Sequence, residues 1–193
     1  MNNIQKALKN GQSIWLDSIS RDMIRSGELQ SFIDQGITGV TSNPSIFDKA
    51  IADSDTYDEA LREYAKDGAD QQTIFERLAV DDIRDAADIL RPVYDKAGRK
   101  DGFVSIEVSP TRASDTDGTV TEARRLWEAI DRPNVMIKVP GTPEGIPAIK
   151  TLISEGINVN VTLLFSIDAY TAAANAYIEG LSEFASSARG IPS

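Results

Sequence analysis

Cysteine and histidine are both missing from the 193 residues. Their absence excludes Ser-His-Asp triads, thiol nucleophiles, His-ligated zinc and cysteine-bound clusters by inventory. It also excludes disulfides, which suits a reducing cytosol. Positive charge is scarce as well: 20 Lys and Arg stand against 30 Asp and Glu, a net charge of −10. Such a surface repels nucleic-acid phosphates, and no basic run offsets it. No apolar stretch approaches the length of a membrane span. The start, Met1-Asn2-Asn3-Ile4-Gln5-Lys6, lacks the apolar core of a signal peptide. Repeats, low-complexity tracts and linkers are absent too. The expectation is a single cytoplasmic domain over 1–193, with no nucleic-acid or membrane partner.

What is present is an alternation of two periodicities. Five short segments (13–17, 38–42, 103–108, 135–139 and 158–165) read as strands, and helical patterns separate them. Ala123, Leu126, Trp127 and Ile130 share one helical face, as do Leu78, Ala79, Ile83, Ala86, Leu90 and Val93 in a segment that contains Pro92. After the fifth strand, Tyr170, Ala173, Ala174, Tyr177, Leu181 and Phe184 form another stripe, with Ser166 as its expected N-cap. The connection between strands two and three has room for two helices, near 46–65 and 73–97. Strand and helix in alternation imply right-handed βα units and a parallel sheet.

Side chains on a strand alternate between faces. Asp17 shares a face with Trp15, Asn43 with Thr41, and Glu107 with Ser105; Lys138 shares one with Met136, and Asn160 with Asn158 and Thr162. The opposite faces are apolar. A doubly wound sheet covered by helices on both sides requires apolar residues on both faces. A barrel with a polar C-terminal mouth requires this division instead. The expected fold is α/β, a TIM-type (β/α) barrel.

Lys138 lies inside Val135-Met136-Ile137-Lys138-Val139-Pro140, otherwise a buried strand. An unpaired ammonium there costs several kcal/mol. Either the head snorkels to solvent along its apolar stem, or the residue is kept for its amine. With no His or Cys, lysine is the leading covalent nucleophile. Lys138, the carboxylates of Asp17 and Glu107, and the neutral donors Asn43, Asn160 and Thr162 are the parts for Schiff-base chemistry on a carbonyl. The competing reading is a barrel core in which Lys138 only salt-bridges Glu107 or Asp17.

Five motifs, in order, resemble a known family. They are Gln12-Ser13-Ile14-Trp15-Leu16-Asp17, Gly39-Val40-Thr41-Ser42-Asn43-Pro44-Ser45-Ile46-Phe47, Ser105-Ile106-Glu107-Val108-Ser109-Pro110, Met136-Ile137-Lys138-Val139-Pro140-Gly141-Thr142 and Asn158-Val159-Asn160-Val161-Thr162-Leu163-Leu164-Phe165-Ser166. Together they are similar to the strand-end motifs of transaldolases, nearest the bacterial branch that includes actinobacterial ones. The resemblance implies a metal-free enzyme without cofactor, in the pentose phosphate pathway, that moves a dihydroxyacetone unit between sugar phosphates. It implies that Lys138 forms the Schiff base and that Asp17 takes the proton of the substrate's C4 hydroxyl. Glu107 and Thr162 would handle water during imine formation and hydrolysis, and Asn43 and Asn160 would hold the dihydroxyacetone hydroxyls. A dihydroxyacetone-dependent aldolase is the near variant; tyrosine against glutamate near the lysine separates the two, and Glu107 favours the transferase.

The resemblance also sets a length. A complete (β/α)8 barrel takes ~250 residues, and five βα units are visible here. A sixth strand is expected to begin near Arg189-Gly190-Ile191-Pro192-Ser193. In the family, a serine on that strand and arginines beyond it help bind phosphate. The expectation is the N-terminal portion of a barrel, with apolar open edges that favour self-association. The alternative function is an inactive half-barrel that needs its C-terminal half or another chain.

Overall fold

The computed structural model describes residues 1–187. All five strands form: β1 (Trp15–Leu16), β2 (Gly39–Thr41), β3 (Val104–Glu107), β4 (Val135–Pro140) and β5 (Val159–Thr162). They hydrogen-bond in chain order, β1-β2-β3-β4-β5, and the pairings β1 with β2 and β4 with β5 are parallel. With helices after each strand, these are five βα units of a TIM-type (β/α) barrel. Four strands are shorter than the alternation suggests. β5 stops at Thr162 because Leu163 turns left-handed, at φ 61°, a conformation no strand continues through. The sixth strand expected from Arg189 onward lies outside the described residues.

Nine α-helices are described. α1 (Asn3–Lys9) precedes β1, and its capping box is made by Asn2 and Gln5. α2 (Arg21–Arg25) and α3 (Glu28–Gln35) follow β1. Between β2 and β3 run α4 (Pro44–Ala52), a 3₁₀ turn (Asp55–Tyr57), α5 (Asp58–Lys66) and α6 (Gln71–Lys96). The first of the two helices expected there is therefore broken. Ser54 ends it by accepting a hydrogen bond from the Thr56 N–H, which starts the 3₁₀ turn. α7 (Thr116–Ile130) follows β3, α8 (Gly145–Ser154) follows β4 and α9 (Ile167–Ser186) follows β5.

The chain divides into two compact units: 1–104 with 132–134, and 105–131 with the chain from 135 onward. In the first, Leu78, Ile83, Ala86 and Leu90 of α6 are fully buried, as are Leu29 and Val40. Each such Leu or Ile contributes about 1.5–3 kcal/mol by leaving water. Trp15 lies over Gly39, where a Cβ would meet the indole at 2.4 Å. Its ring stacks on Phe103, and its Nε1–H donates to Asp101 Oδ1 at 3.3 Å. Arg132 grips Asp88 of α6 through two hydrogen bonds, from Nε to Oδ1 at 2.5 Å and from an Nη to Oδ2 at 2.9 Å.

In the second unit, Val135, Ile137 and Val139 are buried with Ala123, Leu126 and Ile130 of α7 and with Ile149 and Leu152 of α8. Ser166 caps α9 as expected, accepting from the Ala169 N–H. The buried face of α9 differs from the expected stripe: Ala173, Ala176, Gly180 and Phe184 are buried, while Tyr170 and Tyr177 are 62% and 48% exposed. The reason is close packing. A Cβ on Gly180 would stand 2.6 Å from the Lys150 carbonyl oxygen and 2.9 Å from Ile153 Cβ, so α8 meets α9 along its small residues. Tyrosines do not fit that line.

Candidate active site

The second unit gathers four of the six candidate residues on three successive strands. β4 places Val135, Ile137 and Val139 in the core and turns Lys138 to the other face. Lys138 is only 9% exposed, so its head does not snorkel to bulk water. Its Nζ stands 3.6 Å from Glu107 Oε2, at the end of β3. Charge-assisted N–H···O bonds are typically ~2.7–2.9 Å, so this is an ion pair at relaxed distance. The buried charge is answered, which removes the objection to a lysine in this strand. The backbone is fixed on the same side: the Val108 N–H donates to the Lys138 carbonyl at 3.3 Å.

On the other flank, β5 pairs Asn160 directly with Lys138 and Thr162 with Pro140. The Gly141 N–H donates to the Thr162 carbonyl at 2.7 Å. Thr162 Oγ1 is buried and has no hydrogen-bond partner among the described residues. A buried hydroxyl without a partner costs about 1–3 kcal/mol, and native structures keep few such groups. Ser105, on the Glu107 face, is fully buried as well.

The loops after these strands are tied by hydrogen bonds. The Ser109 N–H donates to Glu122 Oε1 at 2.9 Å, and Thr142 Oγ1 donates to the Ala113 carbonyl at 2.9 Å. Thr142 Oγ1 also accepts from the Gly145 N–H at 3.0 Å. At Gly145 a Cβ would fall 1.9 Å from the Pro140 carbonyl oxygen, so α8 begins against the end of β4 only because that residue is glycine. The Gly141-Thr142 pair closing the fourth motif hints at a tight turn, but nothing local marks Gly145.

Asp17 and Asn43 belong to the first unit. Asp17 directly follows β1 and is exposed; its carboxylate has no hydrogen-bond or ion-pair partner among the described residues. Asn43 stands two residues beyond β2 and N-caps α4, its Oδ1 accepting from the Ile46 N–H at 3.0 Å. Capping uses the oxygen and leaves the amide N–H groups as donors. A cleft of about 390 Å³ lies alongside, lined among others by Ser18, Ser20, Ile46 and Lys49. Among the described residues, no three carboxylates are grouped to hold a metal ion, and no helix is long and apolar enough to cross a membrane.

The geometry so far is a buried lysine paired with a carboxylate, flanked by an amide and an orphan hydroxyl. Comparison with known proteins bears on it. The profile of the family described as Transaldolase/Fructose-6-phosphate aldolase matches residues 14–189. A protein named transaldolase from Thiobacillus denitrificans is 50% identical over 188 residues, covering 97% of this chain and 52% of that protein. Another, from Trichodesmium erythraeum, is 56% identical over 172 residues, covering 89% and 45% respectively. A third, from Thermobifida fusca, is 49% identical over 181 residues, covering 93% and 49%. The chain thus spans about half the length of the curated relatives it matches.

Proposed function

Because the chain belongs to the transaldolase/fructose-6-phosphate aldolase family, we propose that its strand-end residues serve transfer of a dihydroxyacetone unit through a Schiff base. The donor would be sedoheptulose 7-phosphate and the acceptor glyceraldehyde 3-phosphate, yielding erythrose 4-phosphate and fructose 6-phosphate, in the cytoplasm and the pentose phosphate pathway. The observation that carries the reading is Lys138, buried on β4 with Glu107 Oε2 3.6 Å from its amine.

In this reading Lys138 Nζ, having passed a proton to Glu107, attacks the ketose carbonyl, and Glu107 and Thr162 move protons as the carbinolamine loses water. Asp17 accepts the C4 hydroxyl proton. The C3–C4 bond breaks, its electron pair passes into the protonated imine to give an enamine, and erythrose 4-phosphate leaves. The enamine carbon attacks the acceptor aldehyde, whose oxygen takes the proton back. Water then releases fructose 6-phosphate and restores the amine. Asn43 and Asn160 hold the hydroxyls of the three-carbon unit. Glu107, the carboxylate beside the lysine, supports transfer over simple release.

Borohydride added with fructose 6-phosphate tests this. It should leave a reduced adduct on Lys138, located by peptide mapping, and none on a folded Lys138→Arg variant, since arginine keeps the charge but does not lose its proton. Label on another lysine, persisting in Lys138→Arg, overturns the assignment.

A second reading is a half-barrel that works only when completed by further βα units. The exposure of Leu163, Phe165, Ile167, Tyr170, Tyr177 and Ile178 around β5 and α9 favours it, as does the half-length match. Trapping that appears only after addition of the C-terminal half of a relative would select it.

A further inference from the structure

Asp17 stands outside regular structure, and its carboxylate has no partner of its own among the described residues. Upstream, β1 offers two paired positions, Trp15 with Gly39 and Leu16 with Val40. Downstream the chain is anchored four residues on, at Arg21. That side chain is 5% exposed, and Tyr57 and Asp82 are fully buried beside it. The Arg21 backbone N–H donates to Tyr57 Oη at 2.8 Å, and its Nε donates to Asp82 Oδ1 at 2.7 Å. Tyr57 Oη in turn donates to Asp82 Oδ2 at 2.7 Å, and the guanidinium lies 4.6 Å from the Tyr57 ring centre. Three elements are closed into one ring: the start of α2, the 3₁₀ turn and α6.

Burial holds the Tyr57 phenol far above its ordinary range, so it remains a donor. Buried charge pairs often stabilise less than well-packed apolar residues of the same volume. What this ring supplies that leucines would not is direction: each bond fixes an angle as well as a distance. Ile19, 1% exposed, pins the short connection at its middle.

We infer that Arg21, Tyr57 and Asp82 are positioning residues that hold the connection carrying Asp17, and through it the Asp17 carboxylate, where it meets the substrate hydroxyl. This rests on the acid/base role proposed for Asp17. The three lie 61, 36 and 25 residues apart in their pairings, and none is assigned a part in the chemistry above.

The test compares the chain with Tyr57→Phe, which removes both bonds of the phenol. Arg21→Lys, which keeps the charge but loses the directed Nε bond, serves as the second variant, and Asp17→Ala as the control. Amides at residues 18–21 should exchange with deuterium about tenfold faster in both network variants, with β4 unchanged. Borohydride trapping at Lys138 should proceed as in the parent while aldose release falls about tenfold, the consequence of a misplaced group. If Asp17→Ala releases aldose normally, the acid/base role itself fails. If Asp17→Ala is slowed but folded network variants match the parent, or lose trapping and release in equal proportion, the positioning role is overturned. Loss of folding in both network variants assigns the ring to stability alone and overturns it too.

Discussion

At the scale of single residues, the two faces of a strand separate chemistry from packing. Lys138 was legible from sequence because its neighbours Ile137 and Val139 are apolar and the period of a strand is two; the structure then supplies Glu107 as its partner. Thr162 was legible in position but not in state, since no pattern announces a hydroxyl without a partner. That state has a measurable consequence. Thr162→Val keeps the shape and β-branching while removing a buried unsatisfied group. The variant should melt at the parent temperature or above it by calorimetry, whereas imine formation, read by borohydride trapping, should slow by about 10²-fold if the hydroxyl guides water. A large loss of stability would mean that the hydroxyl has a structural partner. Asn43 shows the converse: its cap on α4 is local, and it engages the side-chain oxygen while leaving the amide N–H groups as donors.

Among the elements, agreement follows how local the determining forces are. Ser166 caps α9, as expected, through a bond three residues away, and short-range signals of that kind survive in sequence. The face of α9 keeps Ala173 and Phe184 of the expected stripe but departs from it at Tyr170 and Tyr177, because α8 requires small residues against it. The Arg21, Tyr57 and Asp82 ring was invisible for a related reason, its partners being distant along the chain. Another long-range tie, Arg132 to Asp88, joins the segment before β4 to α6. Hydrogen bonds from Arg132 hold the Asp88 carboxyl below its ordinary range despite opposing desolvation. A carboxyl depressed in the folded state adds stability above its unfolded value, ~3.9, and that stability fades as pH falls through the folded value. Asp88→Asn should therefore destabilise at neutral pH by only about 0.5 kcal/mol, because the pair is exposed. Denaturant titrations should show the difference vanishing as pH falls through the lowered folded value. A difference independent of pH would exclude the ion pair as its source.

For the molecule as a whole, composition and order carried the reading furthest. The absence of His and Cys narrowed the candidate nucleophiles, and the succession of five polar-ended strands pointed to a barrel. The surface around β5 and α9 carries a cluster of exposed large apolar side chains: Phe165 is 87% exposed and Ile167 83%. Clusters of that kind mark contact surfaces. The chain should associate with itself as concentration rises, seen as an increasing weight-average sedimentation coefficient. Phe165→Asp with Ile178→Lys should abolish the increase without changing the melting temperature. A concentration-independent monomer in the parent would remove self-association from the proposal.

The placement of the aromatic rings has one more consequence. Of the two tryptophans in the chain, Trp15 lies in the first compact unit, packed on Gly39 and Phe103, and Trp127 lies half-buried on α7 in the second. Each unit thus carries its own fluorophore. The Trp15 indole is also two residues from the proposed proton acceptor and one strand away from Asn43, so its emission is a native optical reporter for that end of the chain, while Trp127 reports on the lysine-bearing half without any label being added.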